Sequence, residues 1–186
     1  MKRFFDFFSV TILCLLLLIP IILVAIFVRL TSKGPVLYWS NRAGRNNVIF
    51  RMPKFRSMWI ETPDVATHLI TNHSELFTPI GGFLRRTSLD ELPQLFSVLK
   101  NDMSLVGPRP ALFNQVDLIE MRNEIGVDKL LPGITGWAQI NGRDELSIPD
   151  KVKLDAEYIA QQSFWFDLRI LWMTLLKVIK RDNILH

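Results

Sequence analysis

The sequence predicts an α+β fold, mainly helical, with an N-terminal membrane-inserted helix, a small β-hairpin and amphipathic helices lying in the membrane interface. Three observations carry this prediction. The run from Val10 to Val28 holds no charged residue, and Thr11 is its one polar side chain. Farther along, apolar residues recur at helical spacing in several separate stretches. Between these regions, two short β-prone pieces flank a turn that contains glycine. The chain divides into residues 1–33, the membrane-inserted segment and its flanks, and residues 34–186, a part on the cytoplasmic side with membrane-interface helices.

As a helix the apolar run is about 28 Å long, close to the thickness of a hydrocarbon layer. An all-round apolar run of that length is a poor match to a core helix, and no small-residue cleavage site follows it. Pro20 lies at its middle, where it removes a backbone bond and clashes with the carbonyl four residues back. Lys2 and Arg3 precede the run, and Arg29 and Lys33 follow it. Positive charge marks cytoplasmic flanks, so basic residues at both ends fit a helix that turns at Pro20 and leaves the bilayer on the face it entered. Phe4, Phe5, Phe7 and Phe8 suit the interface at the N-terminal end.

The pieces Val36–Trp39 and Val48–Arg51, joined by "RAGRNN", predict the hairpin. "TPDVATHLITNH" is polar and turn-rich and reads as a surface excursion. "LPQLFSVLKND" places Leu92, Leu95, Phe96 and Leu99 at helical spacing. "SLVGPRPAL" reads as an irregular loop, with a helix restarting behind Pro110. The glycines of "LLPGITGWAQINGRDEL" predict a loop able to approach a ligand closely. "IPDKVKLDAEYIAQQ" is a helix with Pro149 near its start. The tail from Ser163 is an apolar helix with a basic end, suited to core, to a membrane interface or to a dimer of two copies.

The chain is apolar and basic, with 49% hydrophobic residues and a net charge of +4, which directs attention to membranes, nucleic acids and phosphorylated ligands. Cys14 is the single cysteine, so an internal disulfide is excluded and a cysteine metal site is disfavoured. Three scattered histidines argue against a histidine zinc site. A nucleic-acid partner is not expected, because the aromatic residues gather in apolar segments rather than among the basic ones.

The basic residues of "PKFRSM", "GFLRRTS", "GPRP" and "NGRDE" place Lys54, Arg56, Arg85, Arg86, Arg109 and Arg143 on turns, where they could bind a polyanion. Among them, in "RRTSLDELPQ", stand Asp90 and Glu91. Two readings of this acidic pair are open. Ser88 and Glu91 match a capping box, which would make the acids ordinary first-turn residues. Alternatively, a carboxylate amid arginines can attack phosphorus, since nearby positive charge offsets repulsion between anions. A diphosphate ligand would bring Mg²⁺, for which Asp90 and Glu91 are the candidate protein ligands. Pro93 favours a helix start close by, where backbone N–H groups attract phosphate.

In order along the chain come an apolar segment with Pro20, "SKGPVLYWSNRAGRNNVIFRMPKFRSM", "RRTSLDELPQLFSVLKNDMSLVGPRP", "LLPGITGWAQINGR" and "KLDAEYI". Together they resemble the bacterial sugar transferases, the monotopic phosphoglycosyl transferases, in their minimal catalytic form. The resemblance implies transfer of a sugar 1-phosphate from a UDP-sugar to undecaprenyl phosphate, with release of UMP. It implies Asp90 as nucleophile through a covalent phosphosugar intermediate, Glu91 as its partner, and Mg²⁺ as cofactor. It places Pro108, Arg109 and Pro110 in the family's "PRP" element and adds Asp155 and Tyr158 as matching positions. It further implies residence at the cytoplasmic face of the bacterial inner membrane. An N-acetylated hexosamine or a modified form is the favoured sugar, with galactose or glucose next. Ile19 stands where some members have serine, and Pro53 is unexpected before Lys54. A scaffold that recruits other glycan-assembly proteins is the competing expectation, and it would leave Asp90 and Glu91 dispensable.

Overall fold

The computed structural model describes residues 1–60, 62, 76–142 and 146–180. The apolar run folds as two helices, α1 (Lys2–Leu16) and α2 (Leu18–Thr31), bent by 62° at Leu17. The bend is therefore at Leu17 rather than at Pro20, which lies inside α2. Proline cannot bond the carbonyl four residues back, here that of Leu16, and its ring crowds it, so the break falls one turn ahead of the ring. Among the described residues no single helix is long and apolar enough to cross a membrane, whereas the bent pair together meets that length and composition.

α1 is fastened at its start. The Lys2 ammonium pairs with Asp167 and donates to the Val106 carbonyl at 2.9 Å and the Tyr158 hydroxyl at 3.1 Å. Arg3 donates to the Val98 and Leu99 carbonyls at the end of α4 (Gln94–Leu99), groups a helix terminus leaves unpaired. Asp6 is buried and accepts from the Ser104 hydroxyl at 2.7 Å. Lys2 and Arg3, read from sequence as membrane-flanking charges, are bound to protein instead. The far end of α2 is held by Arg56, which donates to the Ser32 and Lys33 carbonyls, each at 2.8 Å.

The hairpin is present and longer than predicted. β1 (Leu37–Ala43) pairs antiparallel with β2 (Ile49–Phe55), and Asn46 and Asn47 take left-handed conformations in the turn. Pro53 sits opposite Trp39. It is tolerated because a sheet of two strands has only edges.

A second sheet was not foreseen. β3 (Ser104–Val106) and β4 (Gly133–Thr135) pair in parallel, within stretches expected to be loop. The glycines do allow a close approach, but of one backbone to another. A Cβ on Gly133 would lie 2.1 Å from the Gly107 nitrogen, and one on Gly136 would lie 2.1 Å from the Gly107 oxygen. The helix expected behind Pro110 begins only at Val116 (α5, Val116–Glu124), because Ala111 and Phe113 first bond the backbone of β1. α3 (Gly81–Arg86), α6 (Trp137–Ile140), α7 (Ile148–Gln161) and α8 (Phe164–Lys180) complete the described helices. Ser147 caps α7 by accepting from the Asp150 N–H at 3.2 Å, with Pro149 in the first turn. The main core joins Val10 of α1 to Val98, Met103, Tyr158, Phe166 and Ile170. α8 buries Phe166 and Ile170 and exposes Trp165, Trp172 and Val178.

Candidate active site

The chain between α3 and α4 reverses at Ser88, which has φ 55° and lies in the left-handed region. A 3₁₀ turn, Leu89–Glu91, follows and leads through Pro93 into α4. The capping box is not formed. The Ser88 side chain caps nothing, and Glu91 turns toward two cations: its Oε1 accepts from the Lys54 ammonium at 2.8 Å and from the Arg109 guanidinium at 3.2 Å. Asp90 is 6% exposed. Burial pushes its carboxyl above the ordinary range; Lys54 opposes this, Glu91 adds to it, and Arg85 and Arg109 oppose it. The result is a carboxylate stripped of water and surrounded by cations from three separate elements.

Lys54 reaches the pair from strand β2, not from a turn. Arg109 comes from the loop after β3, whose backbone is bonded at three successive carbonyls. The Pro108 oxygen accepts from the Gly133 N–H at 2.9 Å, the Arg109 oxygen from Arg122 Nη1 at 2.8 Å, and the Pro110 oxygen from Arg42 Nη1 at 3.2 Å. Arg122 is itself bound by Asp155, whose Oδ2 accepts from its Nε at 2.9 Å and its Nη2 at 2.7 Å. Burial raises the Asp155 pKa, and the Arg122 guanidinium opposes the rise.

A model of the bacterial sugar transferase family matches residues 1–181. The chain belongs to this family. Among its bacterial sugar transferase relatives, an undecaprenyl-phosphate glucose phosphotransferase of Komagataeibacter xylinus is 43% identical over 98% of this chain and 36% of its own length. A UDP-glucose:undecaprenyl-phosphate glucose-1-phosphate transferase of Escherichia coli is 40% identical over 95% of this chain and 40% of its own length. The chain thus spans about two fifths of these longer relatives. An uncharacterized sugar transferase of Bacillus subtilis, EpsL, is 40% identical over 99% of this chain and 90% of its own length.

In this chain Asp90, Glu91, Lys54 and Arg109 come together. Arg85 lies on α3 over the Phe77 ring, 5.3 Å from its centroid, and is close enough to Asp90 to act on its charge. Arg86, on the same helix, is exposed. Arg56, expected among the substrate ligands, is buried and bonds Ser32 and Lys33 at the end of α2. Pro110 is buried behind its carbonyl contact. Asp155, expected among the substrate ligands, is buried and accepts from Arg122. Tyr158 is a core residue whose hydroxyl donates to Asp167 at 2.8 Å. Arg143 lies outside the described residues. The reading missed Arg122 and Arg42. Arg122 falls four residues after Leu118 on the buried face of α5, and that placement was the available signal.

The described residues contain no cluster of three or more metal-binding side chains. Asp90 and Glu91 are adjacent carboxylates, the oxygen-donor type that Mg²⁺ takes where phosphates and water supply its remaining ligands.

Proposed function

We propose that this protein transfers a sugar 1-phosphate from a UDP-sugar to undecaprenyl phosphate at the cytoplasmic face of the bacterial inner membrane, as the first membrane step of a glycan assembly. The observation that carries the proposal is the buried Asp90 carboxylate among Lys54, Arg85 and Arg109. The names of the relatives support the same substrates: they specify undecaprenyl phosphate with glucose or galactose. UDP-glucose and UDP-galactose therefore replace the N-acetylated hexosamine as the donors to test first.

An Asp90 oxygen attacks the sugar-proximal phosphorus. The bond from that phosphorus to the bridging oxygen breaks, and UMP leaves with the electron pair. An undecaprenyl phosphate oxygen then attacks the phosphosugar-aspartate, forming the polyprenyl diphosphate sugar and returning the Asp90 carboxylate. Lys54 and Arg109 hold the donor phosphates, and Glu91 holds both cations in place. Mg²⁺, bound by Glu91 and Asp90 with the donor, would supply additional charge neutralisation.

The α1–α2 pair enters the bilayer and returns on the same side. Phe4, Leu15, Leu16, Ile19 and Leu30 present exposed apolar side chains along it. Support for the return comes from its ends, since Lys2, Arg3 and Asp6 bond α4, β3 and α8 while Arg56 holds Ser32 and Lys33. A straight span would require one set of these contacts to break. The proposal is tested by incubating purified protein with UDP-glucose or UDP-galactose, undecaprenyl phosphate and Mg²⁺. UMP release and a trapped phosphosugar adduct, both lost in Asp90→Asn, are the expected result; full activity in that variant would overturn it. For topology, a cysteine in a short N-terminal extension of a Cys14→Ser protein should resist a membrane-impermeant thiol reagent in intact spheroplasts, and its labelling would exclude the returning arrangement.

A further inference from the structure

We propose that Arg122, braced by Asp155, is a positioning residue that aims the Arg109 side chain at the donor diphosphate; this rests on the donor reading above. The two peptide planes that meet at the Arg109 Cα are each pinned. The plane before it is held through the Pro108 carbonyl by Gly133, and the plane after it through the Arg109 carbonyl by Arg122 at 2.8 Å. With both planes fixed, the direction of the Arg109 Cβ is fixed too. The flanking prolines remove most of the remaining freedom: Pro108 has its own φ locked, and Pro110 confines Arg109 to extended backbone. Without Arg122, the one plane that could still rotate is the one it holds.

The cost of the arrangement argues for a role beyond folding. Arg122 is 8% and Asp155 1% exposed. A buried ion pair is commonly no more stabilising than a well-packed apolar pair of similar volume. An apolar pair could join α5 to α7 equally well, but it could not donate to the Arg109 carbonyl. The guanidinium makes both connections at once, with Nε and Nη2 on Asp155 and Nη1 on the loop. Arg109 in turn reaches Glu91 at 3.2 Å, so the line runs without interruption from α7 to the acidic pair.

The test is the paired replacement Arg122→Met with Asp155→Leu, which removes the clamp without leaving a buried charge. We expect a melting temperature at or above that of the unmodified protein and faster amide hydrogen exchange in residues 107–112. We also expect kcat/KM for the UDP-sugar to fall by about ten- to a hundredfold, with the requirement for undecaprenyl phosphate unmoved. Adding Arg109→Ala should cause little further loss, because both changes remove the same contact. Donor kinetics like those of the unmodified protein, or a loss that adds in full to that of Arg109→Ala, would show the pair to be merely structural. If the paired variant does not fold, Arg122→Lys keeps a charge beside Asp155 without the three-way grip and is expected to give the same split. Exchange at 107–112 separates this proposal from the donor reading. Unchanged exchange overturns the clamp whatever the turnover; faster exchange in a protein that releases UMP from no UDP-sugar overturns the donor reading and supports the clamp.

Discussion

Replacing Asp90 by asparagine should abolish transfer and at the same time stabilise the protein. Asp90 is 6% exposed, and burial is the largest single influence on its carboxyl; together with the repulsion of Glu91 it outweighs the attraction of Lys54, Arg85 and Arg109. A carboxyl whose folded pKa lies above its unfolded one binds more protons in the native state. Stability then falls as pH rises from the unfolded value through the folded one, and the deficit persists at neutral pH. Asparagine keeps the shape and removes the charge. The gain should be about 1 kcal/mol, inside the range of about 0.5–2 kcal/mol common for a single stabilising substitution. For a chain of this length that is about 2–4 °C in melting temperature. Thermal unfolding in lipid nanodiscs at neutral pH measures it, with UMP release assayed on the same sample. The gap between variant and parent should narrow as pH is lowered through the Asp90 transition, where the parent carboxyl takes up its proton. A variant less stable than its parent at neutral pH would mean that the surrounding cations outweigh burial, and the ordering of influences argued here would be wrong.

Glu91→Gln should lower UMP release at least tenfold, about 1.4 kcal/mol in barrier, while leaving the fold intact, because Glu91 holds Lys54 and Arg109 and caps no helix. Unfolding with activity per folded molecule preserved would return Glu91 to a structural role. Ser88→Val should destabilise by about 1–2 kcal/mol, since a β-branched residue is poorly accommodated at φ 55°, whereas Ser88→Gly should unfold no earlier than the parent. Chemical denaturation of the two variants measures the difference. Arg56→Ala should cost about 2–3 kcal/mol through the lost charged hydrogen bonds to Ser32 and Lys33, and should speed proteolysis near residue 33. Its donor KM per folded molecule should be unchanged; a raised KM would restore Arg56 as a substrate ligand.

What could be read from the sequence was what is encoded locally. The hairpin follows from two β-prone pieces around a glycine turn, and α7 from Pro149 near its start. The acidic pair was legible because its neighbours in sequence, arginines and a proline, limit what it can be. The pairing of β3 with β4 was not legible. Each strand has three residues, too few for an alternation, and the signal lies in glycines at 107, 133 and 136 that meet only after folding. The bend at Leu17 was half legible: Pro20 announces a break, and the physics of the missing bond to Leu16 then displaces it by a turn.

Charges were the least legible, because a charge shows its role through its partner, and the partners are remote. Lys2 and Asp167 are 165 positions apart, and Arg56 and Ser32 are 24 apart. Sequence alone placed Arg56 and Arg109 together as basic residues on turns and did not single out Arg122. Folding separates them by what each guanidinium must satisfy. Arg56 is 5% exposed and bonds backbone carbonyls, so it is committed to the fold. Arg109 is part-exposed and meets a carboxylate that itself faces a second cation, so its bond can be exchanged for one to a phosphate at little cost. Arg122 is buried like Arg56 but bonds the backbone of Arg109 itself. On the proposed reading the same side chain serves as anchor, ligand and brace, and exposure together with the identity of the acceptor decides which.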